Sequence, residues 1–385
     1  MKKLLVSTML LIFLGSVGFF TASTFLKTKD TPIVEICPKG GSKDDWYNCL
    51  NAYFLSISEM GNKPEVGIAE LERRMRGDDD LEFKGACHEI THVLGEESYK
   101  KIGIEAALAA DLYQCIGGYA HGVFWTEAQD KSNPDQWSVS KLQKWCDKNR
   151  VIGSLPWEYC VHGSGHSAFI HEYDGKSKGT LSAIKVCEQE TERVNLKLDR
   201  CLDGVFMAWA VYASLYSQGP KQYDPNQYGG FDFEPGDKVY SMLEFCERVK
   251  DYNKDYFNLC IEWRSRQVGL DHLPEYTGKE LCKFNDLETQ RACFRRLVAY
   301  SIPDITKSCE GAPDKETFKE CYTNRVRLDF ERNVSADKLI SNCIKDNGNS
   351  FCEDITSALR KDQEGVNDLV RKFNNNFPKL RLNND

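Results

Sequence analysis

CEQETERVNLKLDRCLDGVFMAWA, residues 187–210, holds the pattern from which the fold is read. Cys201 opens a run in which Leu202, Val205, Phe206, Trp209 and Ala210 recur at helical spacing, one apolar face with a period near 3.6. Cys187 stands before a polar stretch that separates this run from the one preceding it. A bridge between the two cysteines would staple the end of one helix to the first turn of the next.

The same unit recurs outward in both directions. Cys146/Cys160 and Cys246/Cys260 repeat the spacing of 14, and Cys37/Cys49 are 12 apart. Cys282/Cys293, Cys309/Cys321 and Cys343/Cys352 are separated by 11, 12 and 9, and only Cys87/Cys115, at 28, breaks the rhythm. The first cysteine usually ends an amphipathic run, as Cys146 does for Val139–Trp145, and the second opens a new one. This predicts an all-α protein of disulfide-stapled helical hairpins, stacked as a solenoid-like or irregular helical array. Sequential pairing is the expectation, although spacing alone does not fix connectivity. Closing a loop of this size stabilises a hairpin by about 3 kcal/mol in the chain-entropy model.

Sixteen cysteines without a CxxC pair fit a disulfide framework better than thiolate metal sites, and so fit an oxidising compartment. The N-terminus agrees. Lys2 and Lys3 precede an uncharged, largely apolar stretch from Leu4 to Leu26, long enough to span a bilayer. Both lysines favour a cytosolic N-terminus, and no clean cleavage site follows. Residues 1–29 therefore read as a signal anchor or a signal peptide. The rest would lie outside, membrane-anchored or secreted. A net charge of −8 gives no basic footprint, which argues against nucleic acid as a partner.

Within residues 217–240, Gly219-Pro220, Pro225, Gly229-Gly230 and Pro235-Gly236 interrupt any helical period, so this segment reads as a loop or linker. It divides a histidine-rich helical region, 30–216, from cysteine-paired hairpins at 241–361, where a protein partner could dock. Residues 362–385, with Asn374-Asn375-Asn376 and Asn383-Asn384, read as a flexible tail.

Six of the seven histidines fall between Cys87 and His171. His88 and His92 are spaced i, i+4, which on a helix projects both imidazoles from one face. His162 and His166 repeat that spacing, and His171 follows. Alignment on the second cysteine places Gly118/His121 in register with Gly163/His166, as C-x-x-G-x-x-H; the next unit has Gly204 and Met207 there. The glycines would allow close helix approach around a shared site. Neutral imidazoles with no spare thiolate suit zinc, copper or non-haem iron. The expected metal ligands are thus His88, His92, His121, His162, His166 and His171, in a mononuclear or dinuclear site.

His88-Glu89-x-x-His92 also resembles the zincin motif HExxH, and with Gly95 the start of the metzincin pattern. The resemblance implies zinc held by the two histidines and Glu89 as general base. It covers about eleven residues; Ser98 occupies the third ligand position and no later Met-turn is visible. The sequence-based expectation is an extracytoplasmic metal-dependent enzyme, hydrolytic or oxidative. The alternatives are a non-catalytic, metal-stabilised interaction or adhesion module and a zincin-type peptidase.

Overall fold

The computed structural model describes residues 31–77, 81–112, 115–130, 132, 137–172, 179–191, 195–218, 241–270, 282, 284–296, 309–331, 334–380 and 382. Every regular element among them is helical, as the cysteine-punctuated periodicity predicts. After a short turn at Ile33–Ile36 come α1 (Lys43–Ile57), α2 (Pro64–Gly77), α3 (Leu81–Leu108) and α4 (Gly118–Gln129). They are followed by α5 (Val139–Asn149), α6 (Leu155–Glu172), α7 (Gly179–Glu190) and α8 (Asn195–Gln218). The C-terminal part adds α9 (Ser241–Tyr252), α10 (Lys254–Leu270), α11 (Leu287–Arg295), α12 (Lys315–Glu331), α13 (Ala336–Asn347) and α14 (Asn349–Asn376).

Local chemistry sets several of these boundaries. Ser42 and Asp45 form a reciprocal capping box at the start of α1. Ser138, Asp286 and Ser335 each accept a backbone N–H three residues on, at the starts of α5, α11 and α13. Gly348, at φ +83°, makes the turn between α13 and α14. Gly103, at φ +75°, breaks α3 into two helical pieces.

All eight disulfides join sequential cysteines, and none of the sixteen thiols is free. Cys146–Cys160 ties α5 to α6, Cys187–Cys201 ties α7 to α8, and Cys246–Cys260 ties α9 to α10. Each bridge therefore clamps a hairpin at its base, as the spacing suggests. Such a framework belongs to an oxidising, extracytoplasmic compartment.

Neighbouring hairpins bury several apolar clusters between them. One cluster gathers Phe169 of α6, Phe206 and Trp209 of α8, Trp263 of α10 and Phe294 of α11. A second joins Tyr119 and Phe124 of α4 to Trp157 of α6 and Phe373 of α14. Phe373 marks a difference from the sequence reading. The segment read as a flexible tail continues as helix to Asn376, with Leu369, Val370 and Phe373 buried. Their helical period outweighs the run of three asparagines that ends it. At the other boundary α8 reaches Gln218, while 219–240 and the N-terminal segment lie outside the described residues. Among the described residues no helix is long and apolar enough to cross a membrane.

The centre of the array is held together by glycines. α3, α4, α6 and α8 pack in that order, each extensively against the next. At the α3–α4 crossing, a Cβ on Gly122 would lie 2.0 Å from the His92 carbonyl oxygen, and one on Gly95 would lie 2.2 Å from that of Tyr119. The α6–α8 crossing repeats the device, with Gly165 against the Cys201 carbonyl and Gly204 against that of His162. Backbones in such contact leave room for no side chain larger than hydrogen.

Candidate functional site

These crossings draw five histidines into one row, with His121, His162 and His166 buried and His88 and His92 half-buried. Ring centroids are 6.3 Å apart for His88 and His92, 5.6 Å for His88 and His121, and 4.9 Å for His121 and His166. His162 and His166 come closest, at 4.6 Å, with their Nε2 atoms 2.9 Å apart. One of the two donates its proton to the other. His171 is separate; it stacks on Trp137 at 4.0 Å and its Nδ1 meets Glu172. Glu89 is exposed on the surface of α3.

This convergence is not a metal centre. Among the described residues no group of three or more His, Cys, Asp or Glu side chains is placed to hold a metal ion. That finding overturns the expected zinc, copper or non-haem-iron site. With it fall the metal-dependent enzyme, the zincin-type peptidase and the metal in the interaction-module alternative. The ring nitrogens have other partners: His88 Nδ1–H donates to the Cys115 carbonyl (2.8 Å) and His121 Nε2–H to the Tyr159 carbonyl (3.0 Å). His92 Nδ1 bonds Glu96 at 2.9 Å, and His162 Nε2 touches Met207 Sδ at 3.2 Å besides His166. The N–H groups of His88 and His121 are thus spent on carbonyls outside their own helices, and His92 on a carboxylate one turn along its own.

Two of these imidazoles, His121 and His166, instead stay neutral. His121 is held well below the ordinary histidine range by burial first, then by His166 and His88; burial, His92 and His88 do the same to His166. The unfolded chain therefore takes up protons below about pH 6.5 that the folded state refuses, so stability is lost as pH falls through that range. Between pH 7 and pH 5 each such histidine should cost about 2 kcal/mol. Urea unfolding of the parent and His121→Gln at both pH values should show the parent losing about that much more than the variant. A constant difference would contradict a neutral, buried His121.

Beside this row lies a cavity of about 60 Å³, where α6, α8, α10, the end of α11 and α12 meet. Its wall carries three guanidiniums, from Arg200, Arg296 and Arg327, together with Glu158, His162 and Trp263. His162 and Trp263 have centroids 4.9 Å apart, and the Arg296 guanidinium lies 4.9 Å above the Trp263 ring. Leu155 and Leu328 supply apolar surface.

A network of carboxylates supports the arginines from behind. Asp203 Oδ2 accepts from Arg200 Nη1 at 2.7 Å and from Arg296 Nη2 at 2.8 Å. Arg327 donates to both oxygens of Asp362 at 2.9 Å and pairs with Glu158 at 3.2 Å. Glu262 meets Arg295 at 3.1 Å and Arg296 at 3.7 Å. Burial dominates their electrostatics, pushing Asp203 up to about 8 and Glu262 up to about 7 despite the nearby arginines. With Asp203 mostly protonated and Glu262 only partly ionised near neutrality, the guanidiniums are incompletely neutralised. Arg200 Nε has no hydrogen-bond partner among the described residues.

The histidine spacings locate the histidine row but not the arginine cavity. A signal for the cavity does exist in the sequence. Two residues beyond the second cysteine of four successive hairpins stand His162, Asp203, Glu262 and Arg295. Polar or charged side chains at a fixed register inside apolar helical runs mark a shared interior site. Comparison with protein families, with curated proteins and with solved structures finds no match to this chain.

Proposed function

We propose that this is an extracytoplasmic binding protein for a small carboxylate, held in the cavity of Arg200, Arg296 and Arg327. The observation that carries the reading is the convergence of three guanidiniums on one small cavity, one of them with an unpartnered Nε–H. A planar guanidinium fork matches a carboxylate in geometry and charge. The apolar walls suit a short hydrocarbon portion, and about 60 Å³ limits the ligand to a handful of water-sized groups. Arg200, Arg296 and Arg327 retain 19%, 15% and 15% of their side-chain surface, so the cavity is reachable. The N-terminal apolar segment would hold this domain at the outer face of a membrane, or direct its secretion if removed.

Titration of the oxidised protein with acetate, followed by Trp fluorescence and calorimetry, tests the reading. A ligand of four heavy atoms reaches at best about 6 kcal/mol, so saturation is expected no tighter than tens of micromolar, roughly. Arg296→Met removes one charge-assisted contact and should weaken acetate about 10- to 100-fold. Acetamide has the same shape without the charge and should not compete. Acetamide binding as well as acetate, or no saturable acetate binding, would sink the proposal.

A further inference from the structure

We infer that carboxylate entry into the cavity displaces the Asp203 side chain from Arg200 and Arg296, and that Asp203 takes up one proton from solvent as it does so. This rests on the proposed carboxylate site and adds how that site is regulated, through pH. The geometry sets two demands on the same donors. Arg200 and Arg296 line the cavity, and both also donate to Asp203 Oδ2. An incoming carboxylate that engages these guanidiniums competes with the protein's own carboxylate for them.

Asp203 has no alternative outlet. Its side chain is fully buried in α8, and its second oxygen, Oδ1, makes no hydrogen bond of normal geometry among the described residues. Asp199 and Arg200 share α8, Glu262 and Trp263 come from α10, and Arg296 follows α11. Glu158 of α6 and Arg327 of α12 act on it through Arg200. Of these, only the Trp263 indole and the guanidiniums favour the ionised form; Glu262 and Asp199 oppose it. A buried carboxylate deprived of its cations is costlier than a protonated one, so a proton binds. The balance is one anion plus one proton taken up, with Asp203 neutral in the complex and the ligand carrying the negative charge. The already raised affinity of Asp203 for protons agrees with this direction.

Linkage gives the sign. Above the pH at which Asp203 ionises in the free protein, about 8, each further pH unit should weaken acetate about tenfold. Well below it the carboxyl is already protonated, and binding should be pH-independent. The test is calorimetry with acetate, which keeps its single charge throughout, on the oxidised full chain at pH 6 and pH 9. Two buffers of different ionisation enthalpy at each pH report the protons exchanged. About one proton per acetate is expected at pH 9 and close to none at pH 6. Asp203→Asn should lose the uptake of about one proton per acetate at pH 9, whereas Glu262→Gln should retain it. Acetate binding without proton uptake in the parent at pH 9 would overturn the coupling and leave the carboxylate site standing. Uptake that persists in Asp203→Asn would overturn the assignment to this residue, and absence of acetate binding at either pH would overturn both. The parent measurement needs no variant to fold.

Discussion

Reduction of the disulfides should abolish the fold rather than loosen it. Under denaturing, non-reducing conditions the expected thiol count is zero, since all sixteen cysteines are paired. Each bridge closes a segment of 9 to 28 residues. Removing a closure of that size returns about 3 kcal/mol of loop entropy to the unfolded chain. Eight such losses exceed the roughly 5–15 kcal/mol that separates an ordinary domain from its unfolded state. Most of the bridges are also buried, Cys146, Cys187 and Cys246 among them, so their sulfurs fill core positions as well. After reduction and alkylation, near-UV circular dichroism should collapse and the cooperative urea transition should vanish. A reduced protein that still unfolds cooperatively near the parent's midpoint would show that apolar packing alone supports the array.

The disulfide connectivity was legible because each bridge is local. A pair 14 residues apart, flanked by amphipathic runs, leaves few geometries other than the base of a hairpin. The site was legible only in part, for a related reason. Histidine spacing within a helix correctly brought His88, His92, His121, His162 and His166 together, since i, i+4 periodicity and the glycine register are local properties. What the imidazoles bind is not local. The carbonyls of Cys115 and Tyr159 that engage His88 and His121 come from 27 and 38 residues away. No periodicity reveals that a ring nitrogen will face a backbone carbonyl of another element instead of an ion. The arginine cavity is still less local, since Arg327 reaches Glu158 across 169 residues. Only the recurrence of His162, Asp203, Glu262 and Arg295 at one register hinted that several hairpins contribute to a single interior site.

That interior site depends on how closely α6 and α8 approach, and Gly165→Ala should be strongly destabilising, since its added Cβ would meet the closest obstacle found for any described glycine. A Cβ at residue 165 would lie 1.9 Å from the Cys201 carbonyl oxygen and 2.9 Å from the Gly204 Cα. Neither obstacle is the end of a flexible side chain. Cys201 is tied to Cys187, and Gly204 is itself pressed against the His162 carbonyl, where a Cβ would come within 2.0 Å. Relief therefore requires the two backbones to part by more than an ångström along the whole crossing. Overpacking of a rigid core costs about 1–3 kcal/mol, and more when backbone must move. Alanine's better helix propensity returns only about 1 kcal/mol, so the sign remains destabilising. A net loss of about 3 kcal/mol is expected in urea unfolding under non-reducing conditions. Because His162 and Arg200 ride on the two helices, acetate binding should weaken even where the variant stays folded. Gly85→Ala is the matched control. It sits exposed on α3 with nothing within 4 Å of the added Cβ, so the propensity gain of about 0.5–1 kcal/mol should appear unopposed. Equal stability of Gly165→Ala and the parent would mean that the close α6–α8 crossing, and the cavity built on it, is not the packed state of the protein.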